Sequence, residues 1–336
     1  MNPQPTEMSV ADWVHSIGSK IDTVQSPQNL RETSFTHDPT GLGAQISRRV
    51  LALRVAYMTG RRAVFPNESM YPYETCYLPL GGDSTISFKA VNDRIEFDFW
   101  KFWEDSVARE DVYKFLPAGL ANSEVSQLQF EGILLSKMPL KDSYENYITA
   151  AKIRLNLEDP YIGLHYRRGD KKVETPYVPT KKYREEVIRI AKETGINKVF
   201  IASDSPAALR ELNLEEAGLI SIFDFDEIRY NNANHRFLMA NQDKAKEETL
   251  TAIKNIYLLA GAKKVVGQTN AHFATLAAAM ICYRDNTYLP GVLIPGEIQM
   301  NSPLIAIKYR LKNFVKNIVK KLFPALTLRA HKKKNG

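Results

Sequence analysis

The feature that most constrains the fold is the alternation of strand and helix patterns in the second half of the chain. Short apolar runs predict strands at 161–166, 198–203, 219–223 and 263–267. Helical patterns follow at 180–194, 205–212, 244–260 and 271–283, with Gly195 and Gly261 after helix ends and Ser205-Pro206 at a helix start. Strands that alternate with helices predict a parallel, doubly wound sheet, so the predicted fold class is α/β.

The first half of the chain contains a loop–helix–strand piece that is typical of the same class. Its predicted elements are a tight turn at Gly41 and Gly43, a helix at 44–59 capped by Gly60, and strands at 63–65 and 94–99. Residues 1–38 show no clear periodicity, and the order of helix and loop within 106–155 is left open.

Three of the predicted strands end in polar groups that suit an anionic ligand. The segments are HYRRGDK at 165–171, IASDSP at 201–206 and VVGQTNAHF at 265–273. Ligands of parallel sheets collect at the carboxyl ends of the strands, and a helix N-terminus favours phosphate through its free N–H groups and its dipole. Two adjacent arginines add permanently charged, bidentate donors. The combination predicts a site for a nucleotide diphosphate.

The phosphates would be held without a glycine-rich phosphate loop. The second half of the chain contains neither a Walker loop nor a G-x-G-x-x-G sequence, so arginines and helix ends would supply the positive charge. A leaving diphosphate held in this way indicates glycosyl transfer.

The same three segments, together with GLGAQ at 41–45, resemble the α1,6-fucosyltransferase group. This group includes the bacterial nodulation fucosyltransferases and the eukaryotic core fucosyltransferases. Its signature is H-x-R-R-x-D-K, then T-D-D-P, then a Ser-rich turn that opens a helix, and the similarity covers residues 36–66 and 160–283. The resemblance implies a GT-B fold, in which two Rossmann-like domains face each other across a cleft. It also implies GDP-fucose as donor, inversion at the sugar carbon and no metal or other cofactor.

The expected domains follow from this resemblance. Residues 1–155 would be an N-terminal Rossmann-like domain on the acceptor side, 156–300 a C-terminal Rossmann-like domain that binds the nucleotide sugar, and 301–336 a basic amphipathic tail.

The resemblance also implies roles for the matched residues around the donor. Arg167 and Arg168 would bind the pyrophosphate, and Thr269 and Asn270 would occupy the turn that contacts the β-phosphate. The full set implied to bind the donor is His165, Arg167, Arg168, Tyr183, Asp204, Ser205, Thr269, Asn270, Gly41 and Gly43.

The predicted catalytic residues are Arg168, Asp170, Lys171 and Glu174. Transfer passes through an oxocarbenium-like state, and the leaving GDP gains negative charge that an arginine can stabilise. The acceptor hydroxyl must lose its proton to a carboxylate, for which Glu174 and Asp170 are both candidates.

Three positions depart from the pattern of the group. The segment 172–178 is one residue shorter, so that Glu174 matches only with a gap, and Ser205 replaces the second Asp of T-D-D-P. Lys254 and Asn255 stand where the group tends to place a base-reading Asp. The identity of the base therefore stays open. The alternatives are another GDP- or UDP-sugar transferase, or an inactive protein that binds nucleotide sugars or serves as a membrane adaptor.

Charged residues in the second half of the chain also allow two interpretations other than a metal-free diphosphate site. Asp224-x-Asp226 has the spacing of the carboxylate pair through which metal-dependent GT-A enzymes bind Mn²⁺, although such pairs also arise by chance. The Arg-Arg-x-Asp-Lys cluster could instead be a solvated surface patch. Its tripeptide Arg168-Gly169-Asp170 is common by chance, and nothing in the sequence suggests a secreted adhesion protein.

The positive charge of the chain lies in its tail. The net charge is +7, but no acidic residue follows Glu297 whereas ten basic residues do, which leaves 35 basic against 38 acidic residues before them. An apolar stripe at three-four spacing begins at Leu304 and ends at Leu322. It predicts a basic helix that either packs on the body or lies on an anionic membrane. The two cysteines and the polar N-terminus predict a cytoplasmic protein. The basic residues lie in one tail without a nucleic-acid-binding motif, so no nucleic-acid partner is predicted, and attachment by the tail would place the protein on the cytoplasmic face of a membrane.

Overall fold

The computed structural model describes residues 10–35, 41–65, 71–78, 80, 93–97, 111–117, 127–168, 178–229, 240–287 and 289–296. All of them belong to one compact unit that spans 1–296. Three predicted catalytic residues, Asp170, Lys171 and Glu174, lie outside the described residues, as does the whole predicted tail. The predicted domain division at residue 155 stays a prediction.

The first half of the chain forms a parallel sheet of three strands. The strands are β1 (Arg31–Phe35), β2 (Arg62–Val64) and β3 (Asp93–Phe97), in the order β2-β1-β3. The helices are α1 (Val10–Val24), α2 (Leu42–Thr59), α3 (Tyr73–Cys76), α4 (Gln127–Ser136) and α5 (Asp142–Arg154). Helix α2 ends where Gly60 adopts a left-handed conformation with φ of 64°, as the sequence predicts.

The second half forms a parallel sheet of five strands, which confirms the predicted α/β class. The strands are β4 (Ile162–Tyr166), β5 (Lys198–Ser203), β6 (Ile220–Phe223), β7 (Lys264–Gln268) and β8 (Gly291–Ile294), in the order β6-β5-β4-β7-β8. The helices are α6 (Thr180–Thr194), α7 (Ala208–Leu212), α8 (Gln242–Gly261) and α9 (His272–Arg284), with a 3₁₀ turn at Leu214–Ala217. Every residue of the central strand β4 is buried, which is typical of a parallel strand with helices on both faces.

Helices α8 and α9 pack against the five-stranded sheet and against helices of the first half of the chain. Ala252 and Ile256 of α8 and Leu276 and Ala279 of α9 belong to the same apolar cluster as α1, α2 and α4. Helix α4 crosses α9 at Gly132, where an added Cβ would lie only 2.2 Å from the carbonyl oxygen of Ala279. The helices of the first half are thereby packed against the helices of the second sheet.

Two predicted helix boundaries were wrong. The helix predicted to open at Ser205 begins at Ala208, because the Ser205 hydroxyl accepts a hydrogen bond from the N–H of Ala207 at 3.3 Å and stabilises a turn first. Gly261 is the last residue of α8, and not its C-cap. It is glycine for another reason, since an added Cβ would lie 2.7 Å from the Tyr161 hydroxyl. The sequence patterns also missed α1, β1 and β8.

No helix within the described ranges is both long enough and apolar enough to cross a membrane.

Candidate functional site

The three polar segments meet at one edge of the five-stranded sheet. Strand β4 lies between β5 and β7, and all three run parallel, so their carboxyl ends are neighbours. The register pairs His165 with Ala202 and Tyr166 with Ser203. The structure therefore brings together the ends of HYRR, IASDSP and VVGQTN, as expected of a ligand site in a parallel sheet.

The backbone of the Arg167–Arg168 turn is held on both sides. The Ser203 hydroxyl donates to the carbonyl of Tyr166 at 2.6 Å, and the N–H of Arg168 donates to the carboxylate of Asp204 at 2.8 Å. The N–H of Ser205 in turn donates to the Ser203 hydroxyl at 3.1 Å. Ser203 and Asp204 thus continue the β4–β5 pairing through their side chains and fix the backbone of the two arginines.

The Arg168 side chain is engaged by the fold itself. Its guanidinium donates to the carbonyls of Arg167 and Val178, both at 3.1 Å, and to the Thr180 hydroxyl at 2.6 Å. It also lies 4.0 Å above the Tyr166 ring. Arg168 therefore joins the two ends of segment 169–177, and these contacts use donors that the resemblance assigns to pyrophosphate.

The Arg167 side chain is placed differently. It is half-buried, and no hydrogen bond or ion pair joins its guanidinium to any residue in the described part of the chain. Because the backbone on either side is fixed, the Arg167 side chain leaves the turn at a fixed point at the carboxyl edge of the sheet. Of the two arginines, Arg167 is the one whose guanidinium the described residues leave open to an anionic ligand.

His165 lies beside Arg167 and is nearly buried. Its ring stacks on Phe273 with a centroid distance of 5.3 Å, and its side chain is 6% exposed. Burial, reinforced by the charge of Arg167, lowers the pKa of His165 to about 3. The imidazole is therefore neutral near pH 7, where it can pack or form neutral hydrogen bonds but cannot act as a cation.

The N-terminus of α2 reaches this edge from the first sheet. At Gly43 an added Cβ would lie 2.8 Å from the ring of Phe273, so only glycine allows this approach. The Ser47 hydroxyl lies 2.8 Å from Nδ1 of His272. Neither Gly41 nor Ala271, the N-cap residues of α2 and α9, makes a side-chain capping bond. Two helix N-termini without side-chain caps therefore lie close together, an arrangement that favours an anion.

The remaining predicted donor residues occupy two different environments. Thr269 and Asn270 are exposed in the turn between β7 and α9, where the N–H of Thr269 donates to the carbonyl of Ile294 at 3.1 Å. Tyr183 is completely buried, with its ring edge-on to Tyr166 at 5.3 Å. Tyr183 therefore supports the arginine turn from behind and offers no surface to a ligand.

The carboxylates of Asp224 and Asp226 form ion pairs with basic side chains of the protein itself. Arg154 donates to both carboxylate oxygens of Asp224, at 3.0 and 2.7 Å, and to Asp226 at 2.8 Å. Lys254 also donates to Asp224 and lies 2.7 Å from Glu227. Burial raises the pKa of Asp224, but the hydrogen bonds from Arg154 and Lys254 outweigh it and lower that pKa to about 2. These partners, and not an open coordination site, explain the carboxylate pair.

Within the described residues, no group of three or more His, Cys, Asp or Glu side chains is placed to hold a metal ion.

Several residues of the site were not predicted from the sequence. They are Tyr166, Thr180 and Glu211 around Arg168, and Ser47, His272 and Phe273 at the two helix N-termini. Thr180 stands at a predicted helix start, and this position is a signal from which its place in the site could have been predicted. Glu211 carries no local signal, because its partners lie about 45 residues away along the chain.

No protein-family model and no curated protein matches the sequence. Several solved structures are similar to it, among them fucosyltransferases. NodZ from Bradyrhizobium is 16% identical with a TM-score of 0.44, over 74% of this chain and 92% of that chain. A mutant of Arabidopsis thaliana FUT1 in complex with GDP is 12% identical with a TM-score of 0.48, over 88% and 80% of the two chains. POFUT1 in complex with GDP-fucose is 11% identical with a TM-score of 0.39, over 82% and 100%.

Proposed function

We propose that this protein is an inverting glycosyltransferase of the GT-B type, which transfers fucose from GDP-fucose to a hydroxyl group of a glycan acceptor. The observation that carries the proposal is the available Arg167 guanidinium, which lies on a fixed turn at the carboxyl edge of the sheet beside the β7–α9 turn. The N-terminus of α2 joins it there. A donor-rich edge of this kind fits a diphosphate, and the HYRRGDK segment supports GDP-fucose in particular through its resemblance to fucosyltransferases.

The charge that develops on the leaving group explains why an arginine is useful at this edge of the sheet. When the bond from the sugar carbon to the β-phosphate oxygen breaks, the leaving GDP gains negative charge. A hydrogen-bond donor at that point is typically worth about 3–4 kcal/mol in the transition state, because it stabilises the charge that develops there. The donors of Arg167 can take this role, since its guanidinium has no partner in the described part of the chain.

The proton of the acceptor hydroxyl must pass to a base, and the candidates are Glu174 and Asp170. His165 is not a suitable base, because it is buried against Phe273. If Glu174 is the base, Glu174→Gln slows transfer strongly and leaves donor affinity nearly unchanged. If Glu174→Gln changes only donor affinity, Asp170 takes the role.

The decisive experiment is a binding and transfer screen across GDP- and UDP-sugars. We expect selective binding of GDP-fucose, and a loss of about tenfold or more in affinity in Arg167→Gln, which removes a charge-assisted contact. Arg189→Gln is the matched control, because Arg189 is an exposed arginine that pairs with Glu193 on helix α6. Wild-type affinity in a folded Arg167→Gln protein would remove Arg167 from the site. Binding without turnover on any glycan would instead support an inactive nucleotide-sugar-binding protein.

The proposed reaction uses arginine and helix ends in place of a divalent metal. Asp224 and Asp226 are already paired with Arg154, which argues against a Mn²⁺ site on these carboxylates. We expect transfer to be unchanged in EDTA. Loss of activity in EDTA that Mn²⁺ restores would show that the metal-dependent alternative is correct.

The tail supports a membrane location for the reaction. Its ten basic residues with no acidic residue fit attachment to an anionic membrane on the cytoplasmic face, where each basic residue contributes about 1 kcal/mol. A lipid-linked glycan would be a suitable acceptor for an enzyme attached in this way.

A further inference from the structure

Arg168 belongs to a closed ring of four side chains beneath the carboxyl end of β4. Arg168 donates to the Thr180 hydroxyl at 2.6 Å, and that hydroxyl lies 2.7 Å from the hydroxyl of Tyr166. The Tyr166 hydroxyl donates to Oε2 of Glu211 at 2.6 Å. The same Glu211 oxygen lies 3.7 Å from Nε of Arg168, which closes the ring.

The ring brings together three separate parts of the fold. Tyr166 ends β4, Thr180 begins α6 and Glu211 lies on α7. Burial, followed by the hydrogen bond to Glu211, raises the pKa of Tyr166 to about 12. The phenol therefore stays protonated at physiological pH and continues to donate to the carboxylate.

The ring also gives the two adjacent arginines different surroundings. Glu211 balances the charge of Arg168, and Thr180 and the carbonyl of Val178 take up its donors. Arg167 receives no such partner from the described residues, although its backbone is fixed by the same turn. The Arg168 guanidinium is thus bound within the fold, whereas the described residues leave the Arg167 guanidinium open to an anion.

We propose that Glu211 is a positioning residue of the anion site: by holding Tyr166 and Arg168 it keeps Arg168 within the fold and leaves Arg167 as the guanidinium that meets the diphosphate. The inference rests on the proposed function only for the identity of the anion, because the ring itself is independent of any substrate.

The first test measures the reactivity of each arginine with phenylglyoxal, followed peptide by peptide by mass spectrometry in the full chain. In the wild type we expect Arg167 to react about tenfold faster than Arg168, which is the protection that hydrogen bonds to a charged group can give. In Glu211→Ala, Arg168 should become nearly as reactive as Arg167. Glu211→Gln should restore the protection, because its amide oxygen can still accept from Tyr166.

Two further variants make this result specific. Glu216 lies in the 3₁₀ turn after α7, where its exposed carboxylate pairs with Arg184 of α6. Glu216→Ala should leave the reactivities of Arg167 and Arg168 unchanged. Tyr166→Phe removes the phenol from the ring and should expose Arg168 even if Glu211→Ala does not fold. Equal reactivity of the two arginines in the wild type, or no response to either ring variant, would overturn the inference.

The second test measures the affinity for GDP and for inorganic pyrophosphate by calorimetry. Glu211→Ala should weaken both about tenfold, while Glu211→Gln stays within about twofold of the wild type. If the wild type binds neither ligand but Arg168 still depends on Glu211 for protection, the proposed donor is wrong and the positioning role stands. If Glu211→Ala binds GDP as tightly as the wild type, the positioning role is wrong and the donor assignment survives.

Discussion

Lys254 carries the sharpest prediction about stability, because it is a buried charge with two carboxylate partners. Its side chain is 1% exposed, and its Nζ contacts Asp224 and lies 2.7 Å from Glu227, whose side chains are 2% and 4% exposed. We consider the substitution Lys254→Met, which keeps most of the apolar length of the side chain. It leaves two buried carboxylates with one cation fewer between them.

The magnitude follows from the partners that remain. Removing one member of a buried ion pair costs about 3–5 kcal/mol, because the other charge stays buried and uncompensated. Here Asp224 keeps two hydrogen bonds from Arg154, and Glu227 keeps Arg229 at 2.9 Å. We therefore expect the low end of the range, a loss of about 3 kcal/mol in the free energy of unfolding.

The assay is urea denaturation followed by circular dichroism, with Lys244→Met as the matched control on the same helix. Lys244 pairs with Glu247 on the surface, where such pairs are worth about 0–1 kcal/mol. The double variant Lys254→Met with Glu227→Gln should recover part of the loss, since it removes one of the unpaired charges. If Lys254→Met lies within about 0.5 kcal/mol of the control, the buried cluster does not carry the stability that its geometry implies.

Three further predictions concern other parts of the chain. The pKa of His165 falls from 6.5 to about 3 on folding, so the unfolded state takes up the proton first as the pH falls below 6.5. The free energy of unfolding should therefore fall by about 1 kcal/mol for each pH unit below 6.5. In His165→Gln, the urea midpoint should no longer show this part of the pH dependence. Gly43→Ala should destabilise the protein by about 1–3 kcal/mol through overpacking against Phe273. Gly41→Ser should be nearly neutral in the same denaturation, because an added Cβ at Gly41 meets no atom within 4 Å. Finally, the full chain should co-sediment with anionic vesicles at low salt and be released at high salt, while a chain truncated after residue 300 stays in the supernatant. Equal partitioning of the two chains would contradict a role of the tail in membrane binding.

The sequence by itself determined the local elements of the second half and the class of the fold. Strand β5 and helix α6 have the predicted bounds, and β4, β7 and α9 begin and end within one residue of the predicted positions. The reason is that apolar periodicity and helix caps act between residues that are close along the chain. The same local patterns were enough to predict that a strand ends within each of the segments HYRRGDK, IASDSP and VVGQTN.

Only the tertiary structure decided the strand order β6-β5-β4-β7-β8 and the different tasks of the two arginines. In the sequence Arg167 and Arg168 are equivalent neighbours. Thr180 and Glu211 distinguish them, and they are 12 and 43 residues away from Arg168. The contact of Gly43 with Phe273 and the pairing of Lys254 with Asp224 likewise join distant parts of the chain. Contacts of this kind leave no periodic signal, because they depend on which strand ends become neighbours once the sheet has formed.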